Sequence, residues 1–130
     1  MYRTFSEAQQ ALLKGETSCQ TLVLSFLDAI AAQNPTLNAF LSVDAEGALQ
    51  QALAIDAQVA KGEVPPLAGL VLGVKDVICI KDQKVTCASR MLADFTSLYD
   101  ATAIERLRAA GAIFIGKLNC DEFAMGSSNE

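Results

Sequence analysis

Apolar positions change their rhythm near residue 67. Before it they recur at helical spacing; after it they come in short unbroken runs. Thr4 and Glu7 have capping-box spacing, which predicts a short helix from Ser6 to Lys14 that Gly15 releases. Ser18 caps a second predicted helix, Cys19 to Gln33. Its Leu22, Val23, Phe26, Leu27 and Ile30 follow one face, and Asn34-Pro35 reads as its end. Asn38 to Val43 reads as extended. Asp44 then caps a long helix to about Lys61, with Leu49, Leu53 and Val59 near one face, and Lys61-Gly-Glu-Val-Pro-Pro66 forms a loop.

Beyond residue 67 the pattern predicts a sheet. Leu70–Val74 and Val77–Ile80 are short apolar runs of the kind found in strands covered on both faces. Asp100 caps a helix through Ala110, Gly111 ends it, and Ala112–Ile115 is a third strand. Strand, helix, strand in that order implies a crossover unit in a mixed or parallel sheet. The expected fold class is therefore α/β, with an N-terminal helical region (1–66) leading into the first strands and helices of a mixed-sheet core (67–130). Such strands need neighbours on both sides and this chain supplies few, so the core is expected to be incomplete in this chain.

Composition narrows the function classes. Apolar residues make up 52% of the 130, enough for a packed core. The net charge is −5, and neither half offers a basic patch that would neutralise phosphates. With few aromatics and no Trp, direct nucleic-acid binding is not expected. Charged and polar residues interrupt the first fifteen positions, and the longest apolar stretch, Pro65–Val74, is too short to span a bilayer. A soluble cytoplasmic protein is expected, with no membrane association. Cysteines 19, 79, 87 and 120 form no C-x-x-C pair and there is no His, so neither a metal site nor a Cys-His dyad is expected; Cys79 and Cys87 read as buried, reduced thiols.

Two lysines invite a chemical reading. Gly111-Ala-Ile-Phe-Ile-Gly-Lys117 fits the first seven positions of a phosphate-binding loop. Leu118 then stands where a metal-binding hydroxyl is needed, and strand formers occupy the loop. The segment reads as a helix stop, a strand and a turn. Lys75 interrupts the apolar stretch Leu70–Ile80 together with Asp76. Spacing alone leaves two readings open: a strand end with both charges in water, or a buried pair in which desolvation lowers the lysine pKa and makes it a general base.

Leu67-Ala-Gly-Leu-Val-Leu-Gly-Val-Lys-Asp76, Thr86-Cys-Ala-Ser-Arg90, Tyr99 to Gly111, Gly116-Lys-Leu-Asn119 and Asp121 to Ser128 together resemble the amidase signature family. Thr86-Cys-Ala-Ser89 and Asp121 to Ser128 are most similar to its branch of glutamyl-tRNA(Gln)/aspartyl-tRNA(Asn) amidotransferase A subunits. Val77, Val85, Leu118 and Asn129 depart from residues common in that branch. The resemblance implies amide hydrolysis by a Ser–cis-Ser–Lys triad in which Lys75 is the base. Both serines belong to Gly/Ser-rich segments that this sequence does not contain. It further implies glutamine as the amide, B and C subunits as partners in a heterotrimer, and ATP and Mg²⁺ used by a partner, with no cofactor in this chain. The backbone of Met125, Gly126 and Ser127 would line the substrate pocket, or these are simply turn residues. Ser89 either bonds near the site wall or finishes a turn, and Asp76 orients or balances the Lys75 region or caps the local backbone, with no catalytic role assigned to it. The alternatives are another hydrolase of the same family, or a non-catalytic remnant acting at most as an interaction module. The 130 residues alone are expected to lack amidase activity and to be poorly soluble, because they hold one member of a triad and would expose strand edges.

Overall fold

The computed structural model describes residues 2–126 and residue 128. Three helices precede the sheet core: α1 (Phe5–Leu13), α2 (Cys19–Leu37) and α3 (Ala45–Ala60), with strand β1 (Phe40–Val43) between the last two. Strand β2 (Val71–Lys75), helix α4 (Thr102–Ala109) and strand β3 (Ile113–Leu118) follow. The sheet order is β1-β3-β2, with β1 antiparallel and β2 parallel to the central β3. The β2-α4-β3 unit is thus the expected crossover, and the sheet is mixed. Among the described residues no helix is long and apolar enough to cross a membrane.

The caps follow from the sequence. Thr4, Ser18 and Asp44 each accept a backbone N–H in the first turn of their helix, from Glu7, Thr21 and Gly47. Helix α2, however, runs through Pro35 to Leu37 rather than stopping at Gln33. Pro35 sits in the last turn, where it removes only one intrahelical bond. The helix ends instead at Asn38, in the left-handed conformation with φ 50°, whose N–H reaches the Asn34 carbonyl at 2.7 Å. The Asn34 side chain then pairs with both the N–H and the carbonyl of Phe40, at 2.8 and 3.0 Å, which aims the chain into β1.

Two further expectations change. Val77–Ile80 is a turn and an irregular segment, not a strand. Asp100 does not cap α4; the N-cap is Ala101, while Asp100 accepts the Lys81 N–H at 2.7 Å and pairs with Arg108 at 3.4 Å. The chain needs Asp100 to tie down the loop after β2, and that demand outweighs the local cap. Gly111, at φ +90°, ends α4 as expected, and a Cβ there would meet Pro65 at 2.4 Å.

One apolar cluster joins α1, α2 and α3 to one sheet face through Leu12, Cys19, Val23, Ala48, Ala52, Ile55, Ile113 and Ile115. Helix α3 presents alanines to it, and Leu53, expected near the buried face, is 51% exposed. Small side chains let α3 approach the sheet closely. A second cluster on the other face joins Val74, Ile80, Ile104 and Phe114.

The pairing of β2 with β3 skips a residue: Leu72 opposes Phe114, but Gly73 opposes Gly116. Ile115 is therefore a bulge, which reverses the inward-outward alternation beyond it. The polar groups it displaces are satisfied elsewhere, since the Phe114 N–H donates to Gln51 at 3.1 Å and the Asp44 N–H to the Ile115 carbonyl at 2.9 Å. Gly116 allows β1 to close over the bulge, because a Cβ would stand 2.3 Å from the Ser42 carbonyl oxygen.

Candidate active site

The chemistry-bearing residues gather where β2 and β3 end. Lys75 is the last residue of β2 and Val74 before it is buried. Strand alternation puts Lys75 on the same face as Val71 and Gly73, opposite Val74. Lys75 is exposed and Asp76 is 1% exposed. Each of the two readings left open is thus half met: Lys75 ends its strand in solvent, while Asp76 turns inward.

The buried lysine is Lys117, 1% exposed in the middle of the sheet. The bulge at Ile115 is the reason. It brings Lys117 opposite Val74, on the face of Phe114 and the second cluster, where the chain after β2 folds back. There the Lys117 Nζ donates to the Ile78 carbonyl and lies 3.6 Å from the Asp76 carboxylate. Burial pushes the Lys117 pKa down from its ordinary value, against the pull of Asp76. Lys117 is thus part of a strand and an ion pair. The same cue that singled out Lys75, a lysine inside an apolar run, could have singled it out from Ala112–Leu118.

Asp76 is satisfied on its other side by Thr86, which donates through its N–H at 3.1 Å and through its hydroxyl. The Cys87 N–H donates to the Asp76 carbonyl at 3.0 Å, and the Asp76 N–H continues the ladder to the Leu118 carbonyl at 3.0 Å. The whole 76–87 segment is thereby fastened to the ends of the two strands. Cys79 and Cys87 are half-buried rather than buried, and all four cysteines are free. Burial, then the Asp76 charge, raises the Cys87 pKa, so its thiolate is disfavoured as a nucleophile.

Two strained loops meet beside this network. Cys87 and Ala88 have φ of 52° and 53°, Phe123 and Ala124 of 51° and 57°. Left-handed backbone in residues other than Gly costs of order 1 kcal/mol each and persists only where the surroundings enforce it. The enforcing contacts are a bond from the Phe123 N–H to the Cys87 carbonyl at 2.9 Å and one from the Ser89 hydroxyl to Glu122 at 2.6 Å. Ser89 finishes the turn over residues 86–89, its N–H donating to the Thr86 carbonyl at 2.9 Å, and it caps the short 3₁₀ turn Arg90–Leu92. An open cleft of about 420 Å³ lies against the first of these loops, lined by Thr86, Ala88, Ser89, Arg90 and Asn119 among others. Of the expected substrate-pocket residues, Met125 is 86% exposed and Gly126 packs with its Cα against Asp121; neither lines the cleft. Ser127 lies outside the described residues. A separate apolar cavity of about 240 Å³ between α2 and the sheet offers Gln33 and Asn34 as its polar side chains, and Asn34 is committed to Phe40.

The hydroxyls and the amide that line the cleft are already engaged within the chain: the Thr86 hydroxyl donates to Asp76, the Ser89 hydroxyl to Glu122 and the Asn119 amide to the Asn38 carbonyl. The amidase family profile matches residues 21–130, and the chain belongs to the amidase family. Within it, the chain is 64% identical over 129 residues to the A subunit of the glutamyl-tRNA(Gln) amidotransferase of Salinibacter ruber, covering 99% of this chain and 25% of that protein. The corresponding A subunit from a Roseiflexus species is 54% identical over 98% of the chain. The chain thus spans about a quarter of the length of the curated relatives it matches. Among solved structures, peptide amidase from Stenotrophomonas maltophilia superposes with a TM-score of 0.87 at 29% identity, over 93% of this chain and 25% of that one. A protein from a vestigial complex related to the origins of an s-triazine catabolic enzyme superposes with a TM-score of 0.90 at 37% identity, over 95% of this chain and 27% of that one. The resemblance seen in the sequence and the α/β fold expected from it are both borne out.

Proposed function

We propose that this chain serves as the N-terminal segment of a glutamine-hydrolysing amidotransferase A subunit. The observation that supports this most is 64% identity over 99% of the chain to a relative of that kind. In this reading Lys75 is the general base of a Ser–cis-Ser–Lys triad whose serines lie beyond residue 130. Its amine takes the proton of the bridging serine, which activates the nucleophile toward the glutamine amide. The backbone from Met125 to Ser127 lines the pocket for the acyl group. Lys75 is exposed here, so burial of its amine falls to the segment that carries the serines. The released ammonia passes to B and C partner subunits, and ATP and Mg²⁺ act in a partner.

The test is ammonia release from glutamine by the full-length protein in complex with its partners, with and without Lys75→Ala. Activity lost on that substitution in a folded protein is the expected result. Turnover that survives it removes Lys75 from the mechanism. Hydrolysis of other amides but not glutamine would favour another amidase-family hydrolase, a reading to which the superposition on peptide amidase lends support. The 130 residues alone, purified, are expected to release no ammonia, because the base has no nucleophile within reach.

A further inference from the structure

Lys117 and Asp76 are the two most enclosed charged residues among the described residues, at 1% exposure each, and the proposed reaction uses neither. Their contacts converge on one short piece of backbone. The Ile78 N–H donates to the Lys75 carbonyl at 3.0 Å, closing a turn over residues 75–78. Lys117 grips that turn twice, at the Asp76 carboxylate and at the Ile78 carbonyl. Thr86 holds the second Asp76 oxygen, and the Cys87 N–H holds the Asp76 carbonyl. Every free direction of the residue after Lys75 is thereby occupied.

We infer that Lys117, acting through Asp76 and the Ile78 carbonyl with Thr86 as the opposing anchor, is the positioning residue for Lys75. It fixes the turn that Lys75 opens and so fixes the direction in which the Lys75 amine leaves the strand. The inference rests on the reading of Lys75 as the base. Stability alone is a poor reason for the pair, since a buried ion pair replaced on both sides by neutral groups of similar size is often neutral or stabilising. What such a replacement loses is the directional grip on residues 75–78. A misplacement of about 1 Å at a reacting group can cost about a hundredfold in rate.

The experiment uses the full-length protein in complex with its partners, measuring melting temperature and glutaminase kcat and KM. Lys117→Met alone leaves Asp76 unpaired and lowers the melting temperature. Lys117→Met combined with Asp76→Asn removes both charges, and its melting temperature returns toward that of the parent. The expected signature in this double variant is recovered stability with kcat still reduced roughly tenfold to a hundredfold and KM for glutamine within about twofold. A kcat that recovers together with the melting temperature shows that the pair is only structural and overturns the inference. If the double variant does not fold, Thr86→Val serves instead, because it leaves both charges in place and removes one hydroxyl, which serves Asp76 and the Ala88 N–H. A lowered kcat at unchanged KM is then expected, and an unchanged kcat overturns the inference. Lys75→Ala in parallel separates the two readings. Its retained turnover would remove the base and the positioning role together, whereas a dead Lys75→Ala beside a fully active double variant removes only the positioning role.

Discussion

Asp56 and Asp76 fasten two regions of this molecule in different ways. Asp56, on α3, is half-buried and accepts the Cys19 and Gln20 N–H groups at 2.7 and 3.0 Å, closing the first turn of α2. Its partners are the positive end of a helix and the Cys19 thiol beside it. Asp76, at the end of β2, is almost fully enclosed and comes with a buried lysine, a threonine hydroxyl and three backbone bonds around its turn. Joining two packed elements is done adequately by the first arrangement. The second involves a charge taken out of water, and it stands next to Lys75. The difference teaches that in this fold the helical side is held by packing and caps, while the sheet end is held by a directional polar network.

The largest effect that would test this contrast is on activity. Lys75→Ala should lower glutaminase turnover of the full-length protein by at least about a hundredfold, the usual scale of general-base loss. In the 130-residue chain, where Lys75 is exposed, the same substitution should change the melting temperature little. A large drop in stability would mean that Lys75 belongs to the structural network after all.

Lys117→Met comes next. Removing one partner of a buried pair costs about 3–5 kcal/mol, and Lys117 has a side-chain exposure of 2%. Denaturant unfolding of the full-length protein reads this directly. A loss under about 1 kcal/mol would place Lys117 with ordinary surface pairs.

The helical side has its own titration. Burial, reinforced by Asp56, pushes the Cys19 pKa from 9.0 up to about 12. A thiol whose pKa is raised on folding contributes stability that is present below the unfolded value and lost as pH rises toward the folded one. Unfolding measured from pH 8 to 11 should therefore show stability falling above pH 9, by up to about 1.4 kcal/mol per unit from this group. Cys19→Ala should flatten that fall. An identical profile in the variant would show that Asp56 and burial do not govern the thiol.

Asp56→Ala should cost about 1–2 kcal/mol, the loss of a helix N-terminal acceptor, with glutaminase kcat unchanged. A kcat loss as large as that of the Lys117 variants would erase the contrast between the two carboxylates. The smallest effect concerns the strained loops. Ala88→Gly should stabilise by about 1 kcal/mol, because Gly adopts the left-handed conformation without a Cβ penalty. Unchanged stability would mean that the Ser89–Glu122 and Phe123–Cys87 bonds already offset the strain.

The sequence by itself determined the caps of the first three helices, the change from helices to sheet near residue 67, the crossover unit and the family. Each of these depends on local spacing: a hydroxyl or carboxylate just ahead of a helical run, a glycine after it, a run of strand formers, a short motif. Tertiary structure decided what local spacing cannot carry. Pro35 stays in its helix because Asn34 is bonded to Phe40 six residues on. Asp100 leaves α4 uncapped because the Lys81 N–H competes for it. Above all, one extra residue at Ile115 decides the face on which Lys117 lies. It turns Lys117 toward Asp76 while Lys75 faces out. A bulge is a mismatch between two strands about forty residues apart in the chain. It leaves no mark in either strand's own pattern, because alternation reports only the face of each residue relative to its immediate neighbours.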